Sequence, residues 1–347
     1  MAAASARPFR VACVLVLALV GVCRARYTSA VCPSESNIHP CKCTRTALGI
    51  RVMCSAITNE RSLSSILGYL SSYKMNALAL KHINFTLTPD LFDRLEVVTV
   101  IVTESQFRMH SPGVVQGRRV ASFVHDLDVR QSTLDLGNSS LAIMHGLKQV
   151  LVSNSAIHVL RRRWFDGLSG LYQFVIENTK LEHFEDRALA GLDVVQSITL
   201  KASALRALRR SYFPELAPRL AHLDFSDNEL TSLPSDMFEN MPVLESVTLS
   251  RNHFQTLSPE PWKPMLGQLR LVTLDGSKLS TKELLRQPLA TDWSPHRDLV
   301  TWLVLDVPMS KTTRSTATEP SRGCCRATPG TKSVARAQRP RIWLAHG

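Results

Sequence analysis

Aromatic side chains are scarce: Trp, Tyr and Phe together make up 6% of 347 residues. A sizeable core must then be aliphatic, and Leu and Val fill the middle of the chain. Long apolar runs are missing too. The run Val11–Val22 is about twelve residues, short of the roughly 20 that span a bilayer. No transmembrane segment is expected. The spacings that carry chemistry are also absent. There is no H-E-x-x-H, no C-x2-C pair near a histidine, no G-x-S-x-G elbow, and no G-x-G-x-x-G or G-x4-G-K-[ST] loop. With no acid, base, nucleophile, phosphate cradle or ligand set to name, the expectation is a chain that is not an enzyme and holds no cofactor and no metal.

Strong charge is lacking once the ends are set aside. Of the formal +12, the first thirty residues supply four Arg and no acid, and the residues from Pro308 onward supply an excess of seven, so +1 remains for residues 31–307. A near-neutral body gives little support to a nucleic-acid partner, which is drawn by a basic face.

What is present begins with a leader. Arg7 and Arg10 precede the apolar run, and small residues follow, with Ala25 and Ala30 as candidate cleavage positions. Residues 1–30 therefore read as a secretory signal peptide, which places the mature chain outside the cell. Cys13 and Cys23 would leave with it. Four of the remaining six cysteines crowd into Cys32, Cys41, Cys43 and Cys54. In an oxidising compartment that density reads as a disulfide knot. Zinc is the alternative, but C-x8-C-x-C-x10-C fits no zinc pattern well. Asn84-Phe85-Thr86 and Asn138-Ser139-Ser140 are glycosylation sequons.

The middle of the chain repeats. The template L-x-x-L-x-L-x-x-N-x-L is clearest at Leu220, Leu223, Phe225, Asn228 and Leu230, then at Leu244, Val247, Leu249, Asn252 and Phe254. Earlier units start at Leu147, Leu171 and Val195, so successive starts are spaced 24, 24, 25 and 24. A further start at Leu269 loses its second half. Looser units start at Met75, Val97 and Val124, spaced 22 and 27 and followed by 23 to Leu147. Eighteen residues after each of the five regular starts comes a large apolar residue, namely Phe165, Leu189, Phe213, Phe238 and Trp262. These should stack as a spine on the return side.

Each template position has a task. The x-L-x-L-x segment is a short strand with two residues inward and three outward. One unit cannot bury its own apolar face, but stacked units share a core. The Asn position marks the inward turn, where a buried amide satisfies backbone groups that no ladder reaches. That column reads Ser105, Ser132, Ser155, Thr179, Ser203, Asn228, Asn252 and Ser277, with Ile83 breaking it in the first unit. Hydroxyls can do part of the same work. The fold class is thus an α/β leucine-rich-repeat solenoid: a right-handed horseshoe with a parallel β-sheet on its concave face and an irregular or 3-10 convex side. The expected divisions are residues 31–74 as a cysteine-rich cap, 75–280 as repeats, 281–307 as a degenerate C-terminal cap and 308–347 as a disordered basic tail.

The Cys32-Pro33 opening, the Cys41-x-Cys43 pair and Cys54 resemble the N-terminal cap of extracellular leucine-rich-repeat proteins. That resemblance implies pairing of the first cysteine with the third and the second with the fourth, here Cys32–Cys43 and Cys41–Cys54. The stretch Cys32-Pro33-x4-Ile38-x-Pro40-Cys41-x-Cys43, leading through Leu63 and Leu67, is similar to secreted arthropod proteins named after the non-catalytic subunit of oplophorus-luciferin 2-monooxygenase. For this chain that name implies no catalysis. The departure is C-terminal. Trp293 and Trp302 lie where the family's second cap would be, without cysteines, and Cys324-Cys325 sit in the tail.

Function is then expected to be recognition of an extracellular protein or glycan. The outward strand positions are Asp126, Asp128 and Arg130; Gln149, Leu151 and Ser153; Gln173, Val175 and Glu177; Ser197, Thr199 and Lys201; His222, Asp224 and Ser226; and Ser246, Thr248 and Ser250. These columns hold no Trp or Tyr, the favoured hot-spot residues. An accessory subunit of an extracellular enzyme and an innate immune recognition protein are the alternatives. His183 with Glu185 and Asp186 reads as an exposed loop, and Arg161-Arg162-Arg163 and Arg209-Arg210 as solvated edges.

Overall fold

A computed structural model describes residues 31–92, 95–109, 123–265 and 267–277, with the backbone of 301–303. The chain divides into two compact units, Met1–Asp306 and Val307–Gly347, and every described residue belongs to the first. The leader, the 281–307 cap region (apart from the backbone of 301–303) and the basic tail lie outside the described residues.

The unit opens with the cysteine-rich segment. A short helix α1 (Glu35–Ile38) leads into an antiparallel hairpin of β1 (Lys42–Thr46) and β2 (Gly49–Ser55). Disulfides join Cys32 to Cys43 and Cys41 to Cys54. Next comes α2 (Glu60–Leu70). Its start is fixed by Asn59, whose side chain accepts from the Ser62 N–H at 2.9 Å, with Glu60 in the first turn where the helix dipole favours an acid. Leu63, Ile66, Leu67 and Leu70 recur at helical spacing and are all buried.

The remaining strands are β3 (Lys74–Lys81), β4 (Thr86–Leu87), β5 (Glu96–Thr103), β6 (Gln106–Met109), β7 (Asp126–Arg130), β8 (Thr133–Asp135), β9 (Gln149–Ser153), β10 (Ala156–Leu160), β11 (Gln173–Glu177), β12 (Lys180–Phe184), β13 (Ser197–Lys201), β14 (His222–Asp224), β15 (Ser246–Thr248), β16 (Leu271–Thr273) and β17 (Thr301–Leu303). A long sheet runs β1-β2-β3-β5-β7-β9-β11-β13-β14-β15-β16-β17 and is parallel from β2 onward. Val150, Phe174, Ile198, Leu223 and Val247 are successive partners across it, and each is at least 98% buried. The looser units hold the same register: Leu78 pairs with Val100, Val100 with Leu127, and Leu127 with Val150. On the other side Val52 pairs with Leu78 and Cys54 with Leu80. The hairpin's second strand is therefore the first rung of the repeat sheet, and it covers a core edge that would otherwise be exposed.

The backbone is left-handed one residue past the ends of β2, β3, β5, β7, β9, β11 and β13, and three residues past the ends of β14 and β15. Ala56, His82, Glu104, Gln131, Asn154, Asn178, Ala202, Asp227 and Arg251 all have φ between 46° and 59°. His82, Asn154, Asn178 and Asp227 are of types that favour that region, whereas the Ala, Glu, Gln and Arg residues are not. Tertiary bonding holds them there, because the N–H of each from His82 onward donates to the carbonyl of the next unit: Glu104 to Arg130, Gln131 to Ser153, Asn154 to Glu177.

The return side differs from the sequence expectation. It does contain 3-10 turns, at Leu141–Ile143, Arg162–Phe165, Arg210–Tyr212 and Glu260–Met265. It also carries a second parallel sheet, ordered β12-β10-β8-β6-β4, along the N-terminal units. Its strands are two to five residues long, too short to show a period in the sequence. The spine is as expected: Phe165, Leu189, Phe213, Phe238 and Trp262 are buried, with Phe238 and Trp262 ring centroids 5.0 Å apart. Gly191 is needed here, since a Cβ at that position would lie 2.5 Å from the Phe165 carbonyl oxygen.

Candidate functional site

The outward face of the long sheet is the surface that the sequence singles out. Strand alternation aims Val150 and Val152 inward and so leaves Gln149, Leu151 and Ser153 outward. Parallel register then lines up three outward columns. The first runs Thr99, Asp126, Gln149, Gln173, Ser197, His222, Ser246. The second runs Ala79, Ile101, Asp128, Leu151, Val175, Thr199, Asp224, Thr248. The third runs Lys81, Thr103, Arg130, Ser153, Glu177, Lys201.

Most of the expected face residues are accessible. Arg130 and His222 are exposed, and Asp126, Gln149, Gln173, Glu177, Lys201 and Asp224 are half-buried. Four positions are not, against expectation. Asp128 is 8% exposed. It lies between Ile101 and Leu151 in its column, and the Arg130 guanidinium folds over it, with Nε donating to both carboxylate oxygens at 2.8 and 2.9 Å. That contact holds the Arg130 guanidinium above its ordinary pKa. Val175 is covered by the neighbours in the same column. Ser226 and Ser250 are buried because pairing of β14 and β15 ends at Asp224 and Thr248. Past that point the chain turns down beside Asn228 and Asn252, whose amides donate to the Ser226 and Ser250 carbonyls at 3.1 and 3.3 Å.

The charges on the face are largely matched within it. Lys201 reaches Glu177 at 3.3 Å and Arg130 covers Asp128, while Asp126 accepts from the Thr99 hydroxyl at 3.2 Å. Exposed pairs of this kind contribute little stability. They do leave a locally neutral face of amides, hydroxyls and aliphatic side chains.

Two features were missed by sequence reasoning. Ile101 extends the face toward the N-terminus, which the loose spacing of those units concealed, while Ala79 beside it in the column is buried; the inward pair Leu78 and Val100 was the available signal. Tyr172, 40% exposed, stands directly before Gln173 at the start of β11. The face is thus not without an aromatic, although Tyr172 lies one position outside the outward register.

Other candidates are located plainly. His183, Glu185 and Asp186 are exposed; Glu185 accepts from the Arg162 N–H at 2.9 Å and Asp186 from the Ser211 hydroxyl at 2.9 Å. Arg162 and Arg163 are exposed, and Arg210 donates to the carbonyls of Glu239 and Glu215 at 2.9 and 3.0 Å. Among the described residues no group of three or more His, Cys, Asp or Glu side chains could hold a metal ion. Among them, too, no helix is long and apolar enough to cross a membrane. Asn84 and Asn138 are both exposed, and neither lies on the long sheet.

The leucine-rich-repeat family model matches residues 145–205, 194–254 and 218–279. With the parallel sheet and its register, this makes the fold an α/β leucine-rich-repeat solenoid. Among solved structures the chain is similar to a chain of the Toll–Spatzle complex of Drosophila, at 13% identity over 67% of this chain and 44% of that one, with a TM-score of 0.39. It is also similar to a chain of a TLR13–ssRNA13 complex, at 14% identity over 62% of this chain and 27% of that one, with a TM-score of 0.43. The chain thus spans less than half the length of either.

Proposed function

We propose that this chain is a secreted, non-catalytic recognition protein that binds an extracellular protein through the outward face of the long sheet between β5 and β14. Residues 1–30 serve as its leader, 31–74 and 281–307 as caps, and 308–347 as a basic tail. One observation carries the reading. Side chains from consecutive parallel strands stand in register on a preformed surface, and both sequons lie off that surface. A preformed face limits the ordering cost of association. The near-neutral charge of residues 31–307 disfavours a nucleic-acid partner, whose binding depends on phosphate neutralisation.

The test is capture from native secreted fluid by the immobilised full chain, beside a Leu151→Arg, Gln173→Arg variant of matched thermal stability. Loss of the captured partner in the variant supports the face. Retention by both moves binding elsewhere on the molecule, and capture of glycan alone corrects the partner class.

A second reading is favoured by the cysteine spacing of residues 32–54, which is similar to that of the luciferin monooxygenase non-catalytic subunit proteins. Under it the chain is an accessory subunit with one obligate enzyme partner. It predicts a single stoichiometric companion in that capture, with enzyme activity following the companion.

A further inference from the structure

The turn edge of the N-terminal units carries a shallow groove of about 550 Å³. Its floor is the buried hydroxyl column Ser105, Ser132 and Ser155. One wall is the left-handed row Glu104, Gln131 and Asn154; the other is Asn84, Gln106, Thr133 and Ala156 at the start of the second sheet. The floor hydroxyls are committed: Ser105 accepts from the Ile83 N–H and donates to the Thr103 carbonyl, and Ser132 accepts from the Ser105 N–H and donates to the Arg130 carbonyl. Ligand contacts must therefore come from the walls; there the Glu104 carboxylate already pairs with Lys81 and His82 and the Asn154 Oδ1 accepts from Asn178, which leaves the Gln106 and Gln131 amides and the Thr133 hydroxyl on offer. Carboxamides offer donors and acceptors side by side and suit the hydroxyl and acetamide groups of a sugar.

Asn84 is both a wall residue and the acceptor of a sequon, and it is exposed. We propose that the groove seats the N-linked glycan of Asn84 itself, with the first N-acetylhexosamine units lying over Gln106, Thr133 and Gln131. Covalent attachment makes the contact intramolecular, so weak polar contacts suffice where a free sugar would need many more. The seated glycan would cover the turn edge of the N-terminal units and leave the outward face of the long sheet open. The inference rests on the chain being secreted.

The experiment uses the full chain secreted from a eukaryotic host. Peptide mapping gives occupancy of Asn84 and Asn138. Release of each glycan by a peptide N-glycosidase is then timed on native protein and normalised to the denatured chain. The expected result is native release at Asn84 several-fold slower than in a Gln106→Ala, Thr133→Ala double variant, with release at Asn138 equal in the two proteins. A match of melting temperatures guards against loss of fold in the variant. An unoccupied Asn84, or equal release from wild type and variant, overturns the inference. A chain unmodified at both sequons that retains residues 1–30 sinks the secretory reading as well, whereas an occupied Asn84 released at equal rates sinks the groove alone.

Discussion

The units that turn on serine and the units that turn on asparagine satisfy the same backbone groups in two ways. At Ser105, Ser132 and Ser155 the hydroxyl accepts one N–H from the preceding unit and donates to the carbonyl two residues back. Ser155 does so with the Ser132 N–H at 3.1 Å and the Ser153 carbonyl at 2.7 Å. In the asparagine units one amide does more. Asn228 Oδ1 accepts from both Ser203 and Leu205 at 3.0 and 3.1 Å, and its Nδ2 lies 2.7, 2.9 and 3.1 Å from the carbonyls of Leu200, Phe225 and Ser226. Asn252 repeats the pattern and takes the Leu230 N–H at 3.0 Å.

The difference has a consequence two residues past the turn. In the serine units that residue is Phe107, Leu134 or Ile157, and it lies in a strand of the second sheet. In the units that are followed by an asparagine unit the corresponding N–H, at Leu205 after Ser203 or Leu230 after Asn228, is taken by that next Asn and is not available to a ladder. The second sheet ends at β12, before the first Asn of the column. One repeat template thus yields a two-sheet region and a one-sheet region according to which side chain sits at the turn of the following unit.

The one-sheet region depends most on its aromatic spine. Phe238→Ala should cost about 3–5 kcal/mol, since it empties a fully buried site packed on Trp262. Urea unfolding of the secreted chain measures it, and a loss below about 1 kcal/mol would mean the spine carries little of the stability. The turn column comes next. Asn228→Ala leaves several buried backbone groups unpaired and should cost about 3 kcal/mol, against about 1 kcal/mol for Ser155→Ala. Equal losses would break the comparison.

Gly191→Ala tests the close approach of neighbouring units at the margin of the second sheet. Its new methyl meets the Phe165 carbonyl and should destabilise by about 1–3 kcal/mol. Thermal melting decides it, and an unchanged midpoint would show that the units can move apart freely.

The smallest effect is electrostatic. The Arg251 guanidinium bonded to Asp227 holds that carboxyl below its ordinary value. A depressed folded pKa contributes stability above the unfolded value of about 3.9 that is lost as pH falls through the folded one. Because Arg251 is half exposed, the contribution should stay under about 1 kcal/mol. Asp227→Asn keeps a residue that tolerates the left-handed backbone and should flatten the unfolding free energy below about pH 4. A slope identical to wild type there would remove the pair from the account.

Much of this was legible in the chain. Aliphatic residues at fixed spacing can share a core only by stacking, so Val150, Phe174, Ile198, Leu223 and Val247 had to meet, and alternation then sent Gln149, Gln173 and Ser197 to the other side. The loose units beginning at Met75, Val97 and Val124 were readable for the same reason, since inward pairs constrain register more than loop length does. Residue type alone also told that the turn column would be buried and hydrogen-bonded, which holds from Ser105 to Asn252 and fails at Ser277, which is half-buried and whose hydroxyl has no partner among the described residues.

Tertiary structure decided the rest, because it turned on who the neighbours are. Asp128 is covered because Ile101 and Leu151 come from the two neighbouring strands to flank it, beneath the Arg130 guanidinium of its own strand. Arg251 and Glu104 adopt a left-handed backbone only because the next unit's carbonyl waits for their N–H groups. Among the described residues the second sheet exists where the unit that follows turns on serine or threonine and leaves the amides unclaimed. Local sequence sets which faces are apolar, whereas bonds between units set the backbone path at their edges, and such bonds leave no period within any one unit.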